Sequence, residues 1–432
     1  MVDCTMVRRG CDNEAGSLER DDQVLIPPIL EVCVLWHPDD EIGAHVAEAL
    51  LEHFHGTTFA GLVGGAVEVY TRSAGWESLG GPPRPLPFME PLPNGLASAA
   101  VTVVVPVLGT HLARAAEDDP SWFTYLRRLT EAAAADTSVG VFSLRLDDGA
   151  TAPGTHLGEM FGNHQTLDSA GATDGPILCR DLAHSIAGFI GDPMGDRLRV
   201  FISHTKRYSP DEEPDEVQEL VDLVRDSISN THLSAFFDEA DLVPGSTWED
   251  ELTAAAASSA LLIVRTDLYA SRDWCQREVL AAKRADMPVV VLQALHSGEE
   301  RGSFLMDHVP SVPVRGETAD SWRASIEVAL NQLVDEALKR AIWNQQRDRL
   351  HGYGFDWLPA NAPEPTTLVG WLASIDEYPT AEDKLFVLHP DPPLGNAEVA
   401  VIKDLLDVAG MPGLVEILTP RTFANRGGQV RQ

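Results

Sequence analysis

Basic residues and cysteine are scarce in this sequence. Its 432 residues include 32 lysines and arginines against 66 aspartates and glutamates, a formal net charge of −34 at pH 7. A field of that sign repels phosphate backbones, so we expect no sequence-independent binding to nucleic acid. The five cysteines form no CxxC pair. This excludes a zinc ribbon and favours a reducing compartment without a disulfide framework.

Long apolar runs are also missing. No stretch approaches 18 uninterrupted apolar residues, and the first 22 residues contain no apolar core. The sequence therefore predicts neither a transmembrane helix nor a signal peptide. We expect a cytoplasmic protein that does not bind membranes. At this length the chain has room for two or three domains, each with its own core.

Apolar runs that are typical of buried strands alternate with amphipathic helical patterns. Strands are predicted at 29–36, 66–71, 99–108 and 139–146, and again at 199–203, 233–238, 260–267 and 288–293. Alternating strands and helices favour open parallel sheets. The predicted fold class is α/β, with two tandem flavodoxin-like open parallel sheets. A small βαβ segment is expected near the C-terminus.

Residues 37 to 41 read His37-Pro38-Asp39-Asp40-Glu41, directly after the first predicted strand. The pentapeptide resembles the zinc-binding HPDDE segment of de-N-acetylases of the GlcNAc-phosphatidylinositol family. Zinc needs three or more ligands, and such a site takes a further histidine from an HxxH element. None of the 14 histidines forms an HxxH pair, so no metal site is predicted. Asp39 or Asp40 is instead expected to cap the following helix.

Trp274 and Glu278 lie four residues apart in a helical pattern that follows the strand 260–267. This spacing places a carboxylate and a large aromatic ring on one helix face, one turn from each other. Open α/β sheets bind ligands at the carboxyl ends of their strands, so the pair is a candidate site.

Three segments together resemble a bacterial TIR (Toll/interleukin-1 receptor) domain. They are 201–208 (FISHTKRY), 236–248 (FFDEADLVPGSTW) and 266–284 (TDLYASRDWCQREVLAAKR). They correspond in order to box 1, the BB loop and the segment with the WxxxE pattern. The resemblance covers about 150 residues. Some TIR domains only assemble, whereas others cleave NAD⁺ at the nicotinamide–ribose bond with the glutamate of WxxxE.

The resemblance implies that Glu278 is catalytic and that Ser203, His204, Asp238 and Trp274 line the nucleotide pocket. Each of the four could alternatively be a cap or turn residue. Cleavage of NAD⁺ releases neutral nicotinamide from a cationic pyridinium, so no general acid is required. One carboxylate is then enough to stabilise the oxocarbenium-like transition state.

Glu278 and Cys275 also have simpler interpretations that involve no catalytic role. Without the flanking motifs, Glu278 would be interpreted as a solvated helix residue paired with Lys283 or Arg284. Cys275 is expected to pack rather than to act as a nucleophile, because no histidine or asparagine partner is indicated.

The first predicted sheet is interpreted as a degenerate TIR-like copy. Alignment of Trp122 with Trp274 places Leu126 at the position of Glu278, so this copy lacks the carboxylate. Scaffolding, self-association or recognition is its expected role. The predicted domains are a polar tail at 1–28, the degenerate copy at 29–192, the TIR domain at 193–345, and a linker with a partial α/β segment at 346–432.

Two functions remain open at this point. The first is an NAD⁺ glycohydrolase or ADP-ribose cyclase in an immune or defence response. NAD⁺ would then be its substrate, with no cofactor, and TIR domains would associate with each other. The second is a non-catalytic TIR scaffold that assembles through its BB loop, Asp241 to Trp248.

Overall fold

The computed structural model describes the following residues: 29–56, 59, 67–73, 75, 80–90, 99–162, 166–167, 174–191, 198–231, 233–236, 253–299, 302–306, 308–352, 365, 367–368, 370, 385–388, 394–413 and 415–418. They form three sheets in which every strand pairing is parallel. The predicted class, α/β with flavodoxin-like open parallel sheets, is confirmed. We call the described residues 29–191 the first unit and 198–352 the second unit.

The first unit contains a six-stranded sheet. Its strands are β1 (Leu30–Leu35), β2 (Val67–Arg72), β3 (Val101–Leu108), β4 (Val139–Val141), β5 (Ser143–Arg145) and β6 (Thr166–Leu167). The order is β2-β1-β3-β5-β6, and β4 also pairs with β3. β1 and β3 are buried along their whole length, as expected for strands covered on both faces. The predicted strand 139–146 is divided at Phe142, although its amide still donates to the Val104 carbonyl at 2.9 Å.

Helices cover this sheet. They are α1 (Glu41–Phe54), α2 (Thr110–Asp118), α3 (Pro120–Ala135), α4 (His156–Phe161) and α5 (Gly175–Gly191). Asp40 occupies the N-cap position of α1, but its side chain makes no cap hydrogen bond there. The carboxylate reaches α2 instead and accepts the backbone N–H groups of His111 at 3.2 Å and Leu112 at 3.1 Å. The prediction that Asp39 or Asp40 is the N-cap residue of α1 is therefore confirmed for Asp40, although its carboxylate bonds to α2 and not to α1.

The second unit contains a five-stranded sheet. Its strands are β7 (Arg199–His204), β8 (Ser234–Phe236), β9 (Ala260–Arg265), β10 (Val289–Gln293) and β11 (Ser311–Pro313). The order is β11-β10-β9-β7-β8. Three long helices accompany it: α6 (Pro214–Ser229), α7 (Asp273–Arg284) and α8 (Ala319–Gly352). Leu220, Val221 and Val224 of α6 are buried, and Val217, which begins their i, i+3, i+4, i+7 spacing, is partly buried.

The two units share one continuous apolar core, in which α5 and α8 pack against each other. Polar contacts accompany this packing. Arg180 of α5 donates to the carboxylate of Glu327 in α8. His53 Nε2 of α1 lies 3.0 Å from Asp335 Oδ1 of α8. Asp335 is 4% exposed, so this part of the contact between the units is buried.

A parallel pair of strands lies near the C-terminus. β12 (Leu385–Leu388) pairs with β13 (Val415–Leu418), and α9 (Asn396–Val408) lies between them in the chain. This is the βαβ segment that the sequence predicts. Among the described residues, no helix is both long enough and apolar enough to span a bilayer.

Candidate functional site

The candidate site lies where the order of the second sheet reverses. The chain passes from β7 to β8 on one side and then returns to β9 on the other side of β7. Ligands of open α/β sheets bind at such a switch point, outside the carboxyl ends of the strands. Ser203 and His204 end β7 and pair in register with Ile263 and Val264 of β9.

A buried chain of hydrogen bonds connects three side chains at this switch point. The Ser203 hydroxyl donates to Glu278 Oε2, and it lies 2.6 Å from the Tyr269 hydroxyl. Ser203 is 2% exposed, Tyr269 0% and Glu278 5%. β7 supplies the serine, α7 the glutamate, and a 3₁₀ turn at Tyr269–Ser271 the tyrosine. Three separate elements therefore meet in one chain of hydrogen bonds, with the Ser203 hydroxyl at its centre.

The direction of these hydrogen bonds follows from the protonation of the phenol. Burial raises the pKa of Tyr269 well above its ordinary value, and the nearby Cys275 and Glu278 raise it further. The phenol therefore keeps its proton and can donate to Ser203. The Ser203 hydroxyl has a single proton, which it gives to the Glu278 carboxylate. The order of donation is Tyr269 to Ser203 to Glu278.

Trp274 lies one turn before Glu278 on α7 and is partly buried against the apolar cluster beneath the helix. The Arg277 guanidinium lies 5.7 Å from the centroid of its ring and also forms a 2.7 Å ion pair with Asp273. A cation at that distance is attracted to the aromatic face. The Trp274 ring was predicted to line the nucleotide pocket. Part of it already contacts the Arg277 guanidinium.

The other predicted pocket residues have different positions. His204 is partly buried at the end of β7, next to Ser203. Asp238 lies outside the described residues, as does the predicted BB loop from Asp241 to Trp248. The described structure therefore brings Ser203, His204 and the α7 pair to one edge of the sheet.

Glu278 is 5% exposed, so it is not the solvated residue that the simpler alternative describes. Cys275 packs in the apolar cluster beneath α7, as expected. Burial, assisted by the charge of Glu278 and opposed by Arg272, raises the pKa of the Cys275 thiol to about 12. It is therefore a neutral thiol at physiological pH and a poor nucleophile.

Asp267 joins the loops around this edge and was missed in the sequence. Its carboxylate accepts the backbone N–H groups of His296 at 2.9 Å, Ser297 at 3.0 Å and Gly298 at 3.1 Å, and the Ser209 hydroxyl at 3.1 Å. Burial alone would raise the pKa of this carboxyl. The four donated hydrogen bonds outweigh burial, so its pKa lies below the ordinary value.

A second carboxylate also links the loops around this edge of the sheet. Glu212 accepts the backbone N–H groups of Ser209 at 2.6 Å and Asp267 at 2.7 Å. Arg265, the last residue of β9, forms a two-pronged contact with Glu299. The loops that follow β7, β9 and β10 are thus fixed to one another. Asp267 directly follows a predicted strand, and that position is the signal by which it could have been found.

Leu126, the residue of the first unit that the sequence aligns with Glu278, is fully buried in an apolar cluster on α3. Its side chain offers no polar group. Whether the first unit descends from a TIR domain stays a prediction.

Comparisons with known proteins agree with the geometry of the second unit. A family model described as TIR domain matches residues 200–330, and no curated protein matches the chain. A solved glycosyl transferase family 9 from Veillonella parvula DSM 2008 aligns with 75% of this chain and 99% of its own, at 11% identity and a TM-score of 0.17. A likeness that weak carries no argument. Residues 200–330, with β7, β9 and the Ser203–Glu278 contact, are a TIR domain.

Proposed function

We propose that this protein is an NAD⁺ glycohydrolase that cleaves the nicotinamide–ribose bond and acts in a defence or signalling response. The observation that carries the proposal is the position of Glu278. A buried carboxylate at the switch point of a TIR domain accepts a hydrogen bond from Ser203, beside the aromatic ring of Trp274. NAD⁺ is the substrate, and the reaction needs no cofactor.

Glu278 would act by electrostatic stabilisation. As the bond to nicotinamide breaks, the electron pair leaves with the ring and positive charge develops on the ribose. A carboxylate about 4 Å from a unit positive charge contributes about 4 kcal/mol at an effective dielectric constant of about 20. That energy corresponds to roughly 10³-fold in rate. Water then adds to the anomeric carbon, giving ADP-ribose and a proton. Attack by a group of the same nucleotide would give a cyclic product.

Ser203 would hold the carboxylate in place before substrate arrives. Because Glu278 is only 5% exposed, a ribose hydroxyl must either replace the Ser203 hydroxyl as donor or contact the other carboxylate oxygen. Preorganised groups of this kind need no reorganisation at the moment of reaction. Tyr269 supports the arrangement through its hydrogen bond to Ser203.

The test is nicotinamide release from NAD⁺ by the purified full chain, followed by liquid chromatography at high protein concentration. Wild type is compared with Glu278→Gln, which keeps the shape and removes the charge. Glu219→Gln, an exposed change on α6, is the matched control. We expect turnover by wild type and by the control, and a loss of at least about 10²-fold in Glu278→Gln.

Two outcomes contradict the proposal. Absence of nicotinamide release by wild type at high protein concentration would exclude the enzyme function under those conditions. Equal release by wild type and Glu278→Gln would exclude the residue assignment. Thermal unfolding of each variant shows whether a lost activity reflects a lost fold.

The second candidate function is a TIR scaffold without catalysis. The burial of Glu278 and its hydrogen bond to Ser203 favour it, because a structural carboxylate has the same surroundings. A scaffold predicts self-association in sedimentation experiments without nicotinamide release, and reduced association when Asp241 to Trp248 is replaced by a glycine-serine segment. Under this function Glu278→Gln lowers thermal stability and leaves association unchanged.

A further inference from the structure

We propose that the first unit holds a divalent transition-metal site formed by His37, Asp39 and His111. Each side chain offers one ligand atom, and the three atoms all lie within 4.8 Å of one another. Two imidazoles and a carboxylate are a donor set suited to Zn²⁺ and to the related ions Co²⁺ and Ni²⁺. The site is independent of the function proposed for the TIR domain.

The three residues lie at the switch point of the first sheet. The chain passes from β1 to β2 on one side and returns to β3 on the other side of β1. His37 and Asp39 follow the carboxyl end of β1, and His111 lies in the first turn of α2, directly after β3. This is the edge at which open α/β sheets bind ligands. It is also the position that corresponds to the Ser203–Glu278 contact in the second unit.

A neighbouring carboxylate holds the two histidines together. Asp40 accepts the backbone N–H groups of His111 and Leu112, which ties the loop after β1 to the first turn of α2. Gly109 makes this approach possible, because a Cβ there would lie 2.7 Å from the Asp40 carboxylate. As a result the rings of His37 and His111 are stacked, with centroids 6.0 Å apart and planes at 17°.

The His37 ring is largely buried and packs beside Trp122. Its side chain is 12% exposed and lies 5.4 Å from the Trp122 ring, measured between centroids. Trp122 is itself fixed by a 3.0 Å hydrogen bond from its Nε1 to the Gly80 carbonyl. The backbone N–H of Asp39 donates to His37 Nδ1 at 3.3 Å, so Nδ1 carries the lone pair in this tautomer, and a metal bound there would replace this long hydrogen bond. Nδ1 lies 3.8 Å from Asp39 Oδ2.

Small movements would complete the coordination. Zinc bonds of about 2.0–2.1 Å place tetrahedral ligand atoms about 3.3 Å apart. Asp39, with a side chain that is 70% exposed, and His111 at the surface can both rotate inward. Three protein ligands leave a fourth position for water, as in open rather than purely structural zinc sites. Ca²⁺ and Mg²⁺ prefer all-oxygen ligands and are not the ions that this donor set selects.

The sequence alone predicts no metal site, because no HxxH pair is present. An HxxH pattern supplies the further ligand from one short segment. Here His111 follows a different strand from His37, and the two strands become neighbours only in the folded sheet.

The experiment uses the full chain, treated with a chelator that is then removed. Cys4 and Cys11 are changed to serine so that no thiol of the N-terminal segment competes for metal. Zn²⁺ binding is measured by calorimetry and Co²⁺ binding by visible absorption. We expect one equivalent of either ion. His111→Ala should weaken binding by more than about 100-fold, since loss of an outer partner alone costs 10–100-fold. Asp39→Asn should weaken it as well.

His45→Ala is the control, because His45 is an exposed histidine of the same unit on α1. It should bind as the parent does, and Mg²⁺ should not bind in the same titration. Circular dichroism and thermal unfolding without metal establish that His111→Ala is folded. Failure to bind one equivalent, or equal affinity in the His111→Ala and His45→Ala chains, would overturn the proposal.

Discussion

Ser203 donates a hydrogen bond to Glu278 although 75 positions separate the two residues in the chain. The contact exists because β7 ends beside the first turns of α7, and both lie at the switch point of the second sheet. Tyr269 donates to the same serine hydroxyl from a third element. Any change to one of these three side chains therefore acts on the other two.

Loss of the Ser203 hydroxyl should lower the free energy of unfolding, and the size of this effect should depend on Tyr269. Ser203→Ala removes an acceptor of the buried Tyr269 phenol, so we expect the free energy of unfolding to fall by about 1–3 kcal/mol. Tyr269→Phe removes both the phenol and its need for a partner, and should cost about 0.5–1.5 kcal/mol. The double variant should lose less than the two single effects added together. Urea unfolding of the four proteins measures the coupling. Strictly additive losses would contradict the chain of hydrogen bonds.

Asp267→Asn should change how stability depends on pH. The pKa of the Asp267 carboxyl is lowered in the folded protein, since four donated hydrogen bonds outweigh burial. Its contribution is therefore fully present above its unfolded pKa of about 3.9 and is lost as pH falls through the lower folded value. At pH 7 the variant should be less stable by about 1–3 kcal/mol, because an amide nitrogen then faces backbone N–H groups. Below about pH 4 the difference should shrink.

Urea unfolding of wild type and Asp267→Asn at pH 7, 5, 4 and 3 tests this dependence. Other carboxylates also titrate in that range, but they are common to both proteins and cancel in the comparison. A difference in stability that stays constant from pH 7 to pH 3 would be inconsistent with a depressed pKa at this residue.

Substitution by alanine should have opposite effects on stability at Gly109 and at Gly188. Gly109→Ala places a methyl group 2.7 Å from the Asp40 carboxylate, which must then release the first turn of α2. Gly188 lies exposed within α5, and a methyl group added there would meet no heavy atom within 4 Å. Gly188→Ala should stabilise by about 0.8 kcal/mol through helix propensity. Gly109→Ala should lower the melting temperature and weaken Zn²⁺ binding, and unchanged binding would argue against the role of Asp40.

The contact between α5 and α8, which connects the two units, can be tested at Glu327. Its carboxylate is a partner of Arg180, whose side chain is 6% exposed. Glu327→Gln leaves the buried guanidinium with one charged partner fewer, although Asp181 remains 3.5 Å away. We expect a loss of about 1–3 kcal/mol, and almost none for Glu48→Gln, an exposed change on α1. Hydrogen exchange should become faster in both α5 and α8. Faster hydrogen exchange in only one of these helices would contradict a contact that stabilises both.

The strands were predictable where the apolar run was unbroken. β1, β3, β7 and β9 coincide closely with the runs in the sequence, because strands buried on both faces require such runs. The short strand β11 was missed, since three residues that follow one proline and end at another carry no periodic signal. The helical pattern that begins near residue 319 predicts an end near residue 340, whereas α8 continues to Gly352. No glycine or proline interrupts it before that residue, and polar helix formers extend a helix beyond its apolar face.

The candidate sites were predictable in part. Glu278 and Ser203 could be proposed because each belongs to a recognisable local segment. Their mutual contact could not, because it depends on the sheet order. Tyr269, Asp267 and His111 were missed for the same reason, as each acts on a residue from another strand end. The rule that ligand groups follow parallel strands would have indicated the last two.

The shared core has a consequence for synthesis on the ribosome. The face of α5 that packs on α8 belongs to a helix that ends at Gly191, whereas its partner begins only at Ala319, 128 positions later. At about 5–20 residues per second, roughly 6 to 26 s pass before that partner is made. During this interval the apolar surface of α5 has no α8 to cover it. The first unit therefore completes its burial only after most of the TIR domain has been translated.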